Sequence, residues 1–222
     1  MKSVVLLSSG LDSTVNFYEA LKSGEVKLAL TFDYGQRAAV REIEKAQALA
    51  KAHRVPHQVL ALPFFKDFGQ SSLVGTSQSL PLGSDVSIDS LQVSQKTAKS
   101  VWVPNRNGIF MNIAAGFAEA LGADAVIPGF NREEATTFPD NSEDFLRVLE
   151  KSFSYSTANH VRTHCFTAGL NKTEIVKRGL ELKVDWKLVW PCYQALESWC
   201  GQCESCQRAR RAFQANGLEF PQ

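Results

Sequence analysis

Leu6-Leu7-Ser8-Ser9-Gly10-Leu11-Asp12-Ser13-Thr14 follows directly on the apolar pair Val4-Val5 and runs into Val15, Phe17 or Tyr18, and Leu21 at helical spacing. A buried strand that breaks into a small, hydroxyl-rich turn and then an amphipathic helix points backbone N–H groups and a helix N-terminus at one spot, where an anion is stabilised. Read this way, Ser8, Ser9, Gly10, Ser13 and Thr14 form a phosphate seat. The spacing is neither that of a Walker loop, since no Lys precedes Ser13, nor G-x-G-x-x-G. An ordinary strand-to-helix turn capped by Asp12 or Ser13 would use the same residues, so the surroundings must decide.

Those surroundings alternate between two periods. Strands are expected at 3–7, 26–32 and 58–61, and helices at 13–21, ended by Gly24, and at 40–52, with Ile43, Ala46, Leu49 and Ala50 on one face. The order β-α-β-α-β implies right-handed crossovers and a doubly wound, mostly parallel α/β sheet covered on both faces. Ligands of such sheets bind beyond the carboxyl ends of the strands, which places the turn at 8–14 and Asp33-Tyr34-Gly35-Gln36-Arg37 in one crevice. From 64 to 100 the period fades into Gly, Ser, Pro and Gln, an irregular excursion read as a lid or subunit contact. Order returns at Val101-Trp102-Val103, read as a strand end before Asn105-Arg106-Asn107, and continues in a helix at 109–121 and a strand at 125–127. Helices then start at Ser142 and at Asn171-Lys172-Thr173-Glu174.

At 222 residues and 44% hydrophobic content the chain buries one domain, 1–190, plus an appendage, 191–222. The 24 Lys and Arg against 23 Asp and Glu leave a formal net charge of +1, no footprint for direct binding of long nucleic acid. The Met-Lys-Ser start lacks a signal peptide's apolar region, and no apolar run approaches the roughly 18 residues of a membrane helix. A cytoplasmic protein without a membrane partner is expected. In that reducing setting cysteines serve as ligands or catalysts rather than disulfides.

Cys192, Cys200, Cys203 and Cys206 fall within fifteen residues, with two C-x-x-C pairs sharing Cys203. This spacing suits a closed tetrahedral zinc site in a segment whose polar residues, Glu197, Gln202, Glu204, Gln207, Arg208, Arg210 and Arg211, offer little to bury. An iron–sulfur cluster uses similar spacings, but nothing else in the chain suggests redox work. Cys165, beside Phe166, reads as a buried, inert thiol.

The turn at 8–14 resembles the S-G-G-x-D-S-T pyrophosphate loop of the ATP pyrophosphatases. Together with Tyr34-Gly35-Gln36-Arg37, Val103-Pro104-Asn105-Arg106-Asn107, Gly129, Pro139-Asp140, Leu170-Asn171-Lys172-Thr173-Glu174 and the four cysteines, it makes the chain similar nearly end to end to the 7-cyano-7-deazaguanine synthases. That resemblance implies a HUP-type fold, one zinc ion per chain, a homodimer, and ATP-driven conversion of 7-carboxy-7-deazaguanine and ammonia to the nitrile through an adenylate and an amide. It implies that Leu7, Ser8, Ser9, Gly10, Leu11, Asp12, Ser13, Thr14 and Arg37 hold ATP, with Asp12 orienting the loop or binding Mg²⁺ through water. Asp12, Ser13, Lys172 and Arg106 are the catalytic candidates, Lys172 as a mobile charge on the phosphates and Arg106 as a fork for phosphate or carboxylate. Three departures stand out: Ser9 replaces the second loop glycine, Ala38 a customary His, and Glu134-Ala135-Thr136-Thr137-Phe138-Pro139-Asp140-Asn141 the usual D-x-S-G-Y-P-D-C, a segment expected to face the substrate.

Overall fold

The computed structural model describes residues 1–69, 71–75, 77–88 and 91–220. Along the chain run β1 (Lys2–Leu6), α1 (Leu11–Ser23), β2 (Glu25–Asp33), α2 (Ala39–Ala52), β3 (His57–Ala61), α3 (Leu91–Val101), α4 (Arg106–Ala120), β4 (Ala125–Ile127), α5 (Arg132–Ala135), α6 (Glu143–Ser156), β5 (Arg162–Thr163), α7 (Lys172–Glu181) and α8 (Glu204–Ala215).

All strand pairs are parallel and the sheet order is β3-β2-β1-β4-β5. The order reverses beside β1, so the chain leaves that strand in one direction and later returns to its other edge, opening a crevice at the carboxyl ends of β1 and β4. Alternation along each strand feeds two cores: Val4, Leu28, Leu30 and Val126 face one side, Val5, Leu7, Ala29 and Ile127 the other. A register shift between Ser3 and Val4 sends Val26 and Leu28 to opposite cores although they are two residues apart. Both faces are covered by helices, the doubly wound α/β arrangement expected.

Several helix starts follow from local chemistry. Ser142 accepts the Phe145 N–H at 3.1 Å, and Asn171 and Glu174 form a reciprocal capping box that fixes the first turn of α7. α1 instead starts behind Gly10 with no side-chain cap, two residues before the expected boundary, so Asp12 and Ser13 lie in its first turn.

The 64–100 excursion is more regular than its composition suggests. Gln70, Thr76, Asp89 and Ser90 lie outside the described residues, but 63–67 and 83–85 are 3₁₀ turns and 91–101 is a helix. Among its described side chains the buried ones are Ser94, Thr97, Ala98 and Val101, and Thr97 satisfies its hydroxyl on Val93 O, Ser94 O and Glu204. A face of small and hydroxyl residues carries no apolar period. The expected strand end at 101–103 is likewise the end of this helix, and α4 begins at Arg106 rather than 109.

The cysteine tail also buries more than its composition suggested. Trp199, Ala209, Ala212 and Phe213 belong to the same core as Val4 and Leu30, and α8 packs on α7, where Trp186 meets Phe213 edge to face. Arg208 and Glu204, counted above as polar surface, are buried as an ion pair at 2.7 Å, with Glu133 on the other side of Arg208. Among the described residues no helix is long and apolar enough to cross a membrane.

Candidate active site

A cavity of about 230 Å³ opens at the carboxyl ends of β1, β2 and β4, lined by the turn after β1, the ends of β2 and α4, and the loops that follow β4 and precede α8. Ser8 Oγ and Ser13 Oγ face each other at 3.0 Å across the turn, and the Gly10 N–H donates to Ser8 Oγ. The turn is locked from behind. Ser9 has φ +59°, its hydroxyl donates to Glu42 O and its carbonyl accepts from Trp190 N at 2.7 Å. Gly129 lies so close that a Cβ there would come within 2.5 Å of Ser13 N and 2.7 Å of Ser13 Cα.

Below the turn is a buried ionic cluster. Lys172 Nζ lies 2.6 Å from Asp12 Oδ2 and 2.7 Å from Glu134 Oε1, and Asn131 donates to the same Asp12 oxygen. Lys172 is 4% exposed and Asp12 7%, so this lysine is a fixed ammonium and not the mobile first-turn charge its position suggested. Two of its three N–H donors are engaged by carboxylates, and among the described residues the third has no partner. Burial tends to neutralise all three groups, but the two carboxylates together hold the ammonium charged, above its ordinary range. Lys172 in turn holds Glu134 below the usual carboxylate range against the effect of burial, whereas burial outweighs Lys172 at Asp12 and pushes it up to about 6. Asp12 Oδ1 is buried and has no hydrogen-bond partner among the described residues.

The two arginines separate. Arg37 lines the cavity, but its guanidinium donates to the carbonyls of Ser72 and Gln78, so it staples those two backbone groups. Arg106, on the first turn of α4, donates from NH1 to the Tyr34 hydroxyl at 3.3 Å, stands over the Tyr34 ring, and faces Asp140 through space. Its turn depends on Asn105, which adopts φ +50° beneath Gly108, where a Cβ would meet Asn105 Oδ1 at 2.1 Å. Beside it, Gln36 is held by Phe32 O and Tyr34 N and donates to Glu42, whose carboxyl burial pushes up to about 7.

The sulfurs of Cys192, Cys200, Cys203 and Cys206 lie within 4.8 Å of one another. Cys200 and Cys206 are 3.9 Å apart, close to the edge of roughly 3.8 Å that a tetrahedron with bonds of about 2.3 Å to sulfur has. Backbone N–H groups of Gln194 and Cys200 point at Cys192 Sγ, and those of Gln202 and Cys203 at Cys200 Sγ, a donor set that favours thiolates. The four residues could hold one metal ion.

A family model described as queuosine biosynthesis protein QueC matches residues 2–217. The chain belongs to the QueC family. Among curated relatives, a 7-cyano-7-deazaguanine synthase of Bdellovibrio bacteriovorus is 61% identical over 98% of this chain and 95% of its own. One from Pelotomaculum thermopropionicum is 51% identical over 99% and 100%, and one from Methanocaldococcus jannaschii 42% identical over 99% and 97%.

Of the residues that the QueC resemblance singled out, Leu7, Ser8, Gly10, Leu11, Asp12, Ser13, Arg37, Arg106 and Lys172 line the cavity. Ser9 and Thr14 do not: both are fully buried, Ser9 turned to α2 and Thr14 Oγ1 without a partner among the described residues. Glu134, Phe138 and Asn141 of the altered segment line it too. Cys165, half-buried, donates to Phe130 O, and burial pushes its thiol up. Glu42, Tyr193 and Ser205 are cavity residues that motif reading passed over. Tyr193 carried one signal, its place next to Cys192.

Proposed function

We propose that this chain is a 7-cyano-7-deazaguanine synthase, joining ammonia to 7-carboxy-7-deazaguanine at the cost of ATP, and that it works as a homodimer in the cytoplasm. The observation that carries the reading is the meeting, in one cavity, of a hydroxyl-lined turn, a buried ammonium and a guanidinium. A carboxylate resists ammonia because its oxygen does not leave. Attack of that oxygen on the α-phosphorus of ATP makes it a mixed anhydride with AMP and expels pyrophosphate, whose growing charge the Ser8 and Ser13 hydroxyls, the turn's N–H groups and the third proton of Lys172 stabilise. Arg106, whose guanidinium among the described residues donates only to Tyr34, grips the acceptor carboxylate as a fork. A nitrile retains no oxygen, so the amide must be activated in the same way. Each nitrile therefore releases two AMP and two pyrophosphate.

Asp12 Oδ1, an orphaned buried acceptor beside the turn, fits a hard cation such as Mg²⁺, directly or through water, which would neutralise the phosphates. The all-sulfur donor set fits zinc held by Cys192, Cys200, Cys203 and Cys206. With four protein ligands no water is activated, so the ion supplies structure.

The test is mass spectrometry of a reaction containing the protein, ATP, ammonium and 7-carboxy-7-deazaguanine, run beside Asp12→Ala. Nitrile with two AMP each is expected, and turnover about ten- to a hundredfold lower in the variant, as when a charge-stabilising group is lost. Pyrophosphate release with another carboxylate but none with this one would transfer the chain to a different acceptor. No pyrophosphate with any would end the adenylation reading.

A further inference from the structure

Most polar side chains of the cavity are already engaged within the protein. Ser8 and Ser13 bond each other, Thr31 donates to Leu7 O, Gln36 is saturated, and Arg37 is held by backbone carbonyls. Two cavity-lining hydroxyls are different: among the described residues, those of Tyr193 and Ser205 have no hydrogen-bond partner. Both come from the cysteine segment. Tyr193 follows Cys192 directly, and Ser205 directly precedes Cys206.

We propose that Tyr193 and Ser205 read the polar edge of the heterocyclic acceptor, and that the four-cysteine centre is the clamp that sets their position. The inference rests on the adenylating reading above and assigns the acceptor's subsite within it. Tyr193 stands within electrostatic reach of both Arg106 and Glu134, on the α4 and α5 side of the cavity, where Phe138 adds an aromatic wall. A planar ring lying against Phe138 with its carboxylate on Arg106 brings ring N–H and carbonyl groups within range of hydroxyls arriving from the tail. A phenol and an alcohol can each donate or accept, which suits the mixed edge of a deazapurine. Both residues are half-buried at the cavity wall, so a ligand that pairs with both hydroxyls gains selectivity over one that does not. Cys192, Cys203 and Cys206 are buried and Cys200 half-buried, so Ser205 is held between Cys203 and Cys206, and Tyr193 is held on its N-terminal side by Cys192.

The experiment compares the metal-loaded wild type with Tyr193→Phe and Ser205→Ala. Binding of 7-carboxy-7-deazaguanine and of plain 7-deazaguanine is measured by calorimetry, KM for acceptor and for ATP by steady-state kinetics, and metal by elemental analysis. Each variant should bind both heterocycles about 3- to 10-fold more weakly, the loss of one neutral hydrogen bond, with acceptor KM raised in proportion, ATP KM unchanged within about twofold, and one metal retained. Acceptor affinity equal to wild type, or ATP KM rising in parallel with acceptor KM, would overturn the inference while leaving the proposed function standing. Wild type that neither binds nor converts 7-carboxy-7-deazaguanine would remove the proposed function itself.

Discussion

At Ser9 the backbone occupies the left-handed region, φ +59°, where a side chain costs roughly 1–2 kcal/mol relative to glycine. The hydroxyl offsets part of this by tying the turn to Glu42 O, and the Trp190 N–H anchors the same peptide from the opposite side. Removing the hydroxyl keeps the strain and loses the tie, so Ser9→Ala should lower stability by about 1 kcal/mol. Ser9→Val should lower it further, since branching at Cβ is least tolerated there. Urea midpoints for the three proteins check this, and three equal midpoints would show that the strain is not held at Ser9. Glu42 governs a pH effect. Burial raises its carboxyl to about 7, so the native state holds the proton more tightly than the unfolded chain does. Stability from this group is present below the ordinary carboxylate range and is lost as pH rises toward 7. Glu42→Gln should keep the bond from Gln36, match wild type near pH 4, and melt higher than wild type at pH 8. A deficit that is constant across pH would refute the assignment.

Among the elements, the contact of the β4–α5 loop with the first turn of α1 admits no side chain. Gly129→Ala places its Cβ within 2.9 Å of three Ser13 atoms, two of them backbone, so the loop and the turn must separate. A loss of about 1–3 kcal/mol, as for overpacked sites, and a fall in turnover should appear together in melting and rate measurements. Unchanged turnover with a lowered melting temperature would mean that the turn tolerates displacement. Elements with strong local signals were legible in the chain. Val4-Val5 and 26–32 read as strands because both sheet faces are buried, and α7 announced itself through Asn171 and Glu174. α3 was hidden because Ser94, Thr97 and Ala98 form its inner face, and β5, two residues long, is too short for any period. The site was legible to the same degree. The turn and the cysteines carry their chemistry in consecutive residues, whereas Lys172 meets Asp12 across 160 positions, and no local pattern marks it as buried. Arg37 and Arg106 look alike in sequence. Only the carbonyls of Ser72 and Gln78, brought in by the fold, distinguish the staple from Arg106, the fork proposed for the acceptor.

For the molecule as a whole, the tail and the α/β unit share one core through Trp199 and Phe213. Coordination of zinc contributes on the order of 10 kcal/mol in small peptides, but in this tail apolar packing acts whether or not the proposed metal is bound. Cys203→Ala should therefore drop the metal below one per chain and lower the melting temperature while α8 stays docked on α7. Elemental analysis and melting curves, read beside Trp199 fluorescence, decide the matter: a variant that keeps its metal and melts like wild type would show that Cys203 is no ligand. The sheet order has a consequence for biosynthesis. β1 pairs on one side with β2, made about twenty residues later, but Val4 meets its other neighbour only at Val126. Ribosomes add roughly 5–20 residues per second, so one edge of the first strand waits on the order of ten seconds for its partner. During that interval Val4 and Val5, fully buried in the finished sheet, border an open ladder of amide groups that any passing strand could fill, and the nascent chain must be shielded or outpaced until β4 emerges.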